Sequence, residues 1–382
     1  MKKRLIIISI VIVVIFISII VMGHNTNSNN TFTQDGVTYA LTLDGASTNS
    51  FPSKGMYRAD VTCEGATGTW LYDEWQLAIE DITSDNITCD IDFTTISQTN
   101  LNSYIMNLSG SEQGTGQVVE ENGYRYEGKD PNNYIWFNNE LWRIIGVFDE
   151  TSHGQSGQNL VKIIRNGPIG GLVWDNTPSY GSNDWSTSDL KKLLNGAYLN
   201  SENGTGGEYC YGYSTTVPAG NCDYTETGIN DAYRAMIESV TWYLGGHSTY
   251  SATAEAFYGY ERGDTVYSGR PTSTTGYIGL MYPSDYGYSV LASSCARTTN
   301  LGSYDNATCA GQSWFYGQGY EWTITPRSSY SDLVFVVNCS GYLRSTSAYS
   351  GNSARPVLYL DSSVYVIDGN GSQSDPYIIG MG

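Results

Sequence analysis

The segment YIWFNNELWRIIGVF, residues 134–148, leaves its backbone few options. Two runs of aromatic and β-branched residues flank Asn138-Asn139, and asparagine is one of the few side chains that tolerates the left-handed conformation a two-residue hairpin turn demands. With that turn, Phe137 faces Glu140, Trp136 faces Leu141 and Ile135 faces Trp142. Adjacent cross-strand pairs point to opposite faces, so Trp136 and Trp142 lie on different sides of the hairpin. Such nearly continuous apolar runs imply a sheet covered on both faces. Both tryptophans are therefore expected in the core.

Further strands are expected on the same grounds. VTYALTL, MYRADVTC, WLYDEWQLAI and ITCDIDF alternate apolar and polar residues between turn-forming residues. VFVVNCSGYL reads as a strand pair around Ser340-Gly341, and the closing residues 354–379 as two strands with a Gly-rich turn. Helices are expected at three places. TNLNSYIMNLSG keeps a helical stripe of Leu101, Tyr104, Ile105 and Leu108. STSDLKKLLNGAYL carries Leu190, Leu193, Leu194 and Tyr198 on one face, with Ser186 as cap and Asp189 completing a capping box. INDAYRAMIESVTWYLGG places Tyr233, Met236, Ile237, Val240, Tyr243 and Leu244 on one face, capped by Asn230 and stopped by Gly245-Gly246.

The first 23 residues bear on the compartment. Met1-Lys2-Lys3-Arg4 precedes LIIISIVIVVIFISIIVMG, which has neither charge nor proline. As a helix those 19 residues would extend roughly 28 Å, close to the hydrocarbon thickness of a bilayer. The basic tip puts residues 1–4 in the cytoplasm and the rest outside. A retained anchor is the first reading of residues 5–23 and a cleaved signal peptide the second. The cysteines agree with export: Cys63 and Cys89, Cys210 and Cys222, and Cys295 and Cys309 fall as three sequential pairs suited to disulfides, and Cys339 is left over. The formal net charge of −19 argues against nucleic acid and anionic lipid as partners of the exported body.

YIWFNNELWRIIGVF, DWSTSDLKKLLN, GYIGLMYPSDYGY, EWTITP and RPVLYLDSSVYVIDGNGSQSDPY together resemble a family of uncharacterised exported domains of Gram-positive bacteria, which open on a W-R-I-I-G strand and close on an R-P-V-x-Y-L strand. The likeness spans roughly residues 120–382. More remotely, the layout is similar to the superfamily of C-type lectins and formylglycine-generating enzymes, which implies paired first and last strands, two packed helices and a loop-rich insert. The expected architecture is thus α+β. Residues 1–4 form a cytoplasmic tip, 5–23 a transmembrane anchor or signal segment, 24–36 a flexible spacer and 37–95 a small β-sandwich-like module. Residues 96–125 form a connection with one helix, and 126–382 a lectin-like (sulfatase-modifying-factor-like) α+β domain.

Catalytic chemistry finds little footing. The sequence contains no GxSxG and no HExxH, and only His24, His153 and His247 could serve as an imidazole base. An oxidase of the formylglycine-generating type would need reactive thiols, for which Cys295, Cys309 and Cys339 are the candidates; a structural disulfide plus one buried thiol is the first reading. No metal site and no cofactor are expected. DGNGSQSD, residues 368–375, superficially looks like a calcium loop, but Gln373 stands where an EF-hand needs glycine, so a hairpin turn is expected. The lectin sugar-binding tripeptides are absent as well. What remains is aromatic residues among short polar ones: Trp174 with Asp175, Tyr282 with Asp285 and Tyr286, and Trp314 with Tyr316. Rings of this kind stack on sugars or anchor protein partners. The expected function is that of a membrane-anchored extracellular binding or adhesion protein with a glycan or surface protein as ligand. An exported enzyme and a subunit of a surface assembly are the alternatives.

Overall fold

The computed structural model describes residues 31–381 apart from 35, 55–56, 73, 97–98, 178–179, 213–220, 306 and 317–318. The expected tip and anchor, and the spacer as far as residue 30, lie outside the described residues. Among those described, no helix is long and apolar enough to cross a membrane.

Strand accounts for 40% of the described residues and helix for only 14%, which overturns the expected α+β, lectin-like class. The difference lies in segments with two compatible periodicities. Asn230 caps a helix as expected, accepting from the Tyr233 N–H, but that helix ends at Arg234. Ile237–Glu238 and Val240–Tyr243 are strands instead. Val240 and Trp242 are buried while Thr241 and Tyr243 are half-exposed, a period of two. β-Branched residues at 237, 240 and 241 favour extended backbone. The other expected helix breaks into three pieces: a short turn Trp185–Thr187, a helix Asp189–Leu193 and a wider, π-helical turn Leu194–Tyr198. Ser188, not Ser186, caps Asp189–Leu193, accepting from the Lys191 N–H. Only Leu101–Asn107 forms as read, with Leu101 and Ile105 buried.

Residues 31–95 build one apolar cluster around Leu41, Trp70, Ile91 and Phe93. Its main sheet has the order Thr31–Gln34, Val37–Leu43, Ile87–Thr95, Tyr57–Glu64, with Val37–Leu43 and Ile87–Thr95 parallel. Thr31–Gln34 pairs with residues 37–40, so strand begins inside the segment expected as a spacer. A second hairpin, Thr67–Leu71 with Gln76–Glu80, covers this sheet. Cys63 and Cys89 are directly opposed in neighbouring strands and disulfide-bonded. Replacing both by serine is expected to cost about 2–4 kcal/mol, because the bridge closes a 26-residue separation in a unit with a small core. Urea unfolding followed by the fluorescence of this unit checks this, and an unchanged midpoint would refute it.

The remaining residues share a much larger core. A nine-stranded sheet centres on Glu140–Phe148, Leu160–Arg165 and Val357–Leu360. A five-stranded sheet runs Gly170–Val173, Gly351–Ala354, Glu321–Pro326, Leu333–Val337, Leu343–Ser347. The chain steps from one sheet to the other at Arg355-Pro356. The hairpin at Asn138-Asn139 has the expected register, both asparagines adopting φ of 58°. Asn138 also accepts from the Asn230 N–H and donates to the Gly228 carbonyl, which fixes the turn against the short helix. The glycine of W-R-I-I-G is required by close approach: a Cβ on Gly146 would lie 2.2 Å from the Tyr124 carbonyl oxygen. Cys210–Cys222 and Cys295–Cys309 are bonded, and Cys339 is free but exposed, not the buried thiol expected, because it sits in the turn between Leu333–Val337 and Leu343–Ser347. Three disulfides place the folded chain in an oxidising environment.

Candidate functional site

Strand alternation divides the hairpin. Ile135, Phe137 and Trp142 turn inward, with Phe137 edge-on to Trp142 and to Tyr233 at 5.2 and 4.9 Å. Trp136 turns the other way and is 37% exposed, the most exposed tryptophan among the described residues. The expectation that both tryptophans are core therefore holds for Trp142 and not for Trp136. Only one face of this strand is fully covered.

Trp136 lines a cleft of about 560 Å³. Asn139 and Leu141 of the same hairpin and Tyr233 of the short helix join it on one side. Trp70, Leu71 and Tyr72, on the covering hairpin of the smaller unit, line it as well, together with Pro376 and Ile378. Thr69, Asn139, Gln373 and Ser374 supply neutral hydrogen-bonding groups, and Glu74 is the one charged residue of the lining among the described residues. A second cleft of about 530 Å³ shares Tyr72 and Ile379 with the first and is lined further by Trp75, Met236 and Tyr365. Tyr72 thus forms the ridge between them. Its hydroxyl accepts from the Ala59 N–H, and burial pushes its pKa up to about 12, so the phenol stays neutral and able to donate. The indole N–H of Trp70 is buried with no hydrogen-bond partner among the described residues. A cleft at the junction of two units, apolar with a few convergent polar groups, has the ordinary make-up of a ligand site.

The residues singled out from sequence lie elsewhere, inside the fold. Trp174 donates to the Thr323 carbonyl, and Asp175 accepts from the Thr177 and Ser182 N–H groups, bracing a loop. The Tyr282 hydroxyl donates to the Tyr243 carbonyl and that of Tyr286 to the Gly341 carbonyl. Trp314 donates to the Tyr126 carbonyl and stacks on Phe315 at 4.0 Å. Tyr316, half-buried, donates to the Cys339 carbonyl. None of these seven, Asp285 included, lines either of the two clefts. Residues 368–375 form the turn between Val364–Asp368 and Ile378–Met381, and among the described residues no cluster of His, Cys, Asp or Glu could hold a metal ion.

Asp285 belongs to a second feature, a buried charge cluster. It meets Lys162 at 2.5 Å and Arg125 at 3.1 Å, and all three are essentially inaccessible. Beside them Glu261 accepts from both the N–H and the hydroxyl of Ser284 and pairs with Arg262. Burial pushes the Glu261 carboxyl up to about 7, although Arg262 and Ser284 pull it down. The folded chain therefore keeps a proton that the unfolded chain releases near pH 4.5. That contribution to stability is present below the unfolded value and lost as the pH rises through about 7; its full size is about 3 kcal/mol. The difference in unfolding free energy between wild type and Glu261→Gln should accordingly fall by about that much between about pH 4 and about pH 8. A flat difference would refute the shift.

No family model, no curated protein and no solved structure matches this chain.

Proposed function

We propose that the chain is an extracellular binding protein whose ligand is a polysaccharide, neutral or bearing amino groups, held in the cleft around Trp136. The observation that carries this reading is the indole of Trp136, left 37% exposed over a cleft walled by Trp70, Tyr72 and Tyr233. Aromatic faces stack on sugar rings, and the neutral side chains at 69, 139, 373 and 374 suit hydroxyl groups. The net charge of −19 disfavours polyanionic chains. Two clefts sharing the Tyr72 ridge suit an extended ligand better than a single small molecule. The basic residues 2–4 ahead of the apolar run 5–23 support display from a membrane.

Trp136→Ala is expected to weaken binding of a cell-wall or capsular polysaccharide by about 10- to 100-fold, corresponding to about 1.4–2.8 kcal/mol. Its unfolding midpoint should stay close to wild type, since the side chain is partly exposed. A glycan array followed by calorimetry on the selected polysaccharide measures both quantities. Binding unaffected by Trp136→Ala, or no binding by folded wild type to any glycan, would refute the proposal.

A further inference from the structure

Lys162 lies in the strand Leu160–Arg165, inside the nine-stranded sheet, and Asp285 in the short helix Pro283–Tyr288, 123 residues further on. Four rings surround the lysine nitrogen: Tyr282 at 4.4 Å, Tyr359 at 5.5 Å, and Phe148 and Trp242 each at 5.7 Å. Its one carboxylate partner is Oδ2 of Asp285, at 2.5 Å. The same Oδ2 accepts from the Tyr282 N–H, while Oδ1 accepts from Nη1 of Arg125. Amine and carboxyl are thus held in contact, shut off from solvent, with a separate donor on each carboxyl oxygen.

We propose that Lys162 and Asp285 condense into an intramolecular amide bond, a covalent cross-link between the central sheet and the layer that covers it.

The step needs no co-reactant. The ammonium passes one proton to Oδ2, and the neutral Nζ attacks Cγ. Negative charge builds on Oδ1, where the Arg125 guanidinium already sits as a preorganised oxyanion donor. The Cγ–Oδ2 bond then breaks, and Oδ2 leaves as water, carrying the transferred proton and a second one from the amine. The product is Cγ(=O)–NH–Cε, so ammonium plus carboxylate have become amide plus water, with no change in oxidation state.

Three considerations favour the reaction here. Groups fixed in contact reach effective concentrations on the order of 10⁵ M or more, which offsets the unfavourable condensation equilibrium of open solution. Two buried charges carry a large desolvation cost that the amide removes, although it also takes from Arg125 its carboxylate partner. Burial also brings the lysine ammonium down to about 8 despite Asp285, so the neutral nucleophile is accessible. Against these, Lys162 and Arg125 outweigh burial and keep the Asp285 carboxyl below its usual range, so the pair starts as ions. The proton transfer that opens the step is then an uphill pre-equilibrium.

The test is the mass of the reduced, denatured full-length protein together with its peptide map. The expected result is a chain lighter by one water, and a branched peptide, resistant to reductant, joining the segment around Lys162 to that around Asp285. The map is independent of any processing at the ends of the chain. Lys162 recovered only in ordinary linear peptides would overturn the proposal, and this outcome needs no variant to fold. In Lys162→Arg the missing water should be restored. A deficit that persists in that variant would place the water loss elsewhere and equally overturn the assignment.

Discussion

Glu321→Ala should destabilise the larger unit by about 3–5 kcal/mol, because it strands a buried charge. Glu321 opens the strand of the EWTITP motif, and its Oε1 accepts from Arg355 Nε at 2.6 Å, with both side chains almost wholly enclosed. Burial raises the glutamate carboxyl above its ordinary value even though the arginine lowers it, so the site is short of solvation. Nη2 of Arg355 has no hydrogen-bond partner among the described residues, and the nearest ring to the guanidinium, Phe315, is 5.1 Å away. Deleting the carboxylate leaves that cation with no counter-charge at the point where the chain changes sheets. Replacing both partners by apolar residues, Glu321→Leu with Arg355→Met, should recover most of the loss, since a buried pair exchanged whole for hydrocarbon is often neutral. Chemical unfolding of the two variants beside wild type checks this. If the double variant were no better than the single one, packing rather than charge would be responsible.

The second large effect falls on Trp142. Trp142→Ala removes a fully buried indole that packs on Phe137 and donates to Glu140, and it should cost about 3–5 kcal/mol. Trp136, six residues earlier on the same hairpin, should cost little in stability and much in binding. The two substitutions therefore dissociate: one shifts the unfolding midpoint and the other the affinity. Equal losses of stability in both would mean that Trp136 is a core residue after all, and the cleft would lose its principal wall.

This hairpin also shows what the sequence makes legible. Its register follows from local chemistry, a two-residue turn that asparagine accommodates and runs too apolar to slip, and the pairing Ile135 with Trp142 is the one observed. The disulfides are legible for the same reason, each pair being close in the chain. Residues 231–244 were ambiguous because a stripe at three- and four-residue spacing overlaps with alternation over so short a window. Only the neighbours, Leu360 and Tyr359 on one strand and residues 273–276 on another, select the strands. The cleft was not legible at all. Its walls come from residues 69–72, 74, 136, 139, 141, 233, 373, 374, 376, 378 and 379, and the exposure of Trp136 depends on how these segments meet. Aromatic residues between glycines and serines drew attention to Trp174, Tyr286 and Trp314, yet each satisfies its polar atom on a backbone carbonyl, which sequence spacing does not reveal.

The placement of Val357–Leu360 has a consequence for assembly. This strand lies between Leu160–Arg165 on one side and Ile237–Glu238 with Ile278–Gly279 on the other, so three segments spread over more than a hundred residues wait on it. A ribosome or export channel delivers it after all three. Until then the apolar strands it joins have an open edge, the condition under which chains mispair and aggregate. Pairings this distant also make folding slow. The smaller unit, whose strand pairings all fall within residues 31–95, is free of that delay, and its sheet stands complete while the larger one is still waiting for Val357–Leu360.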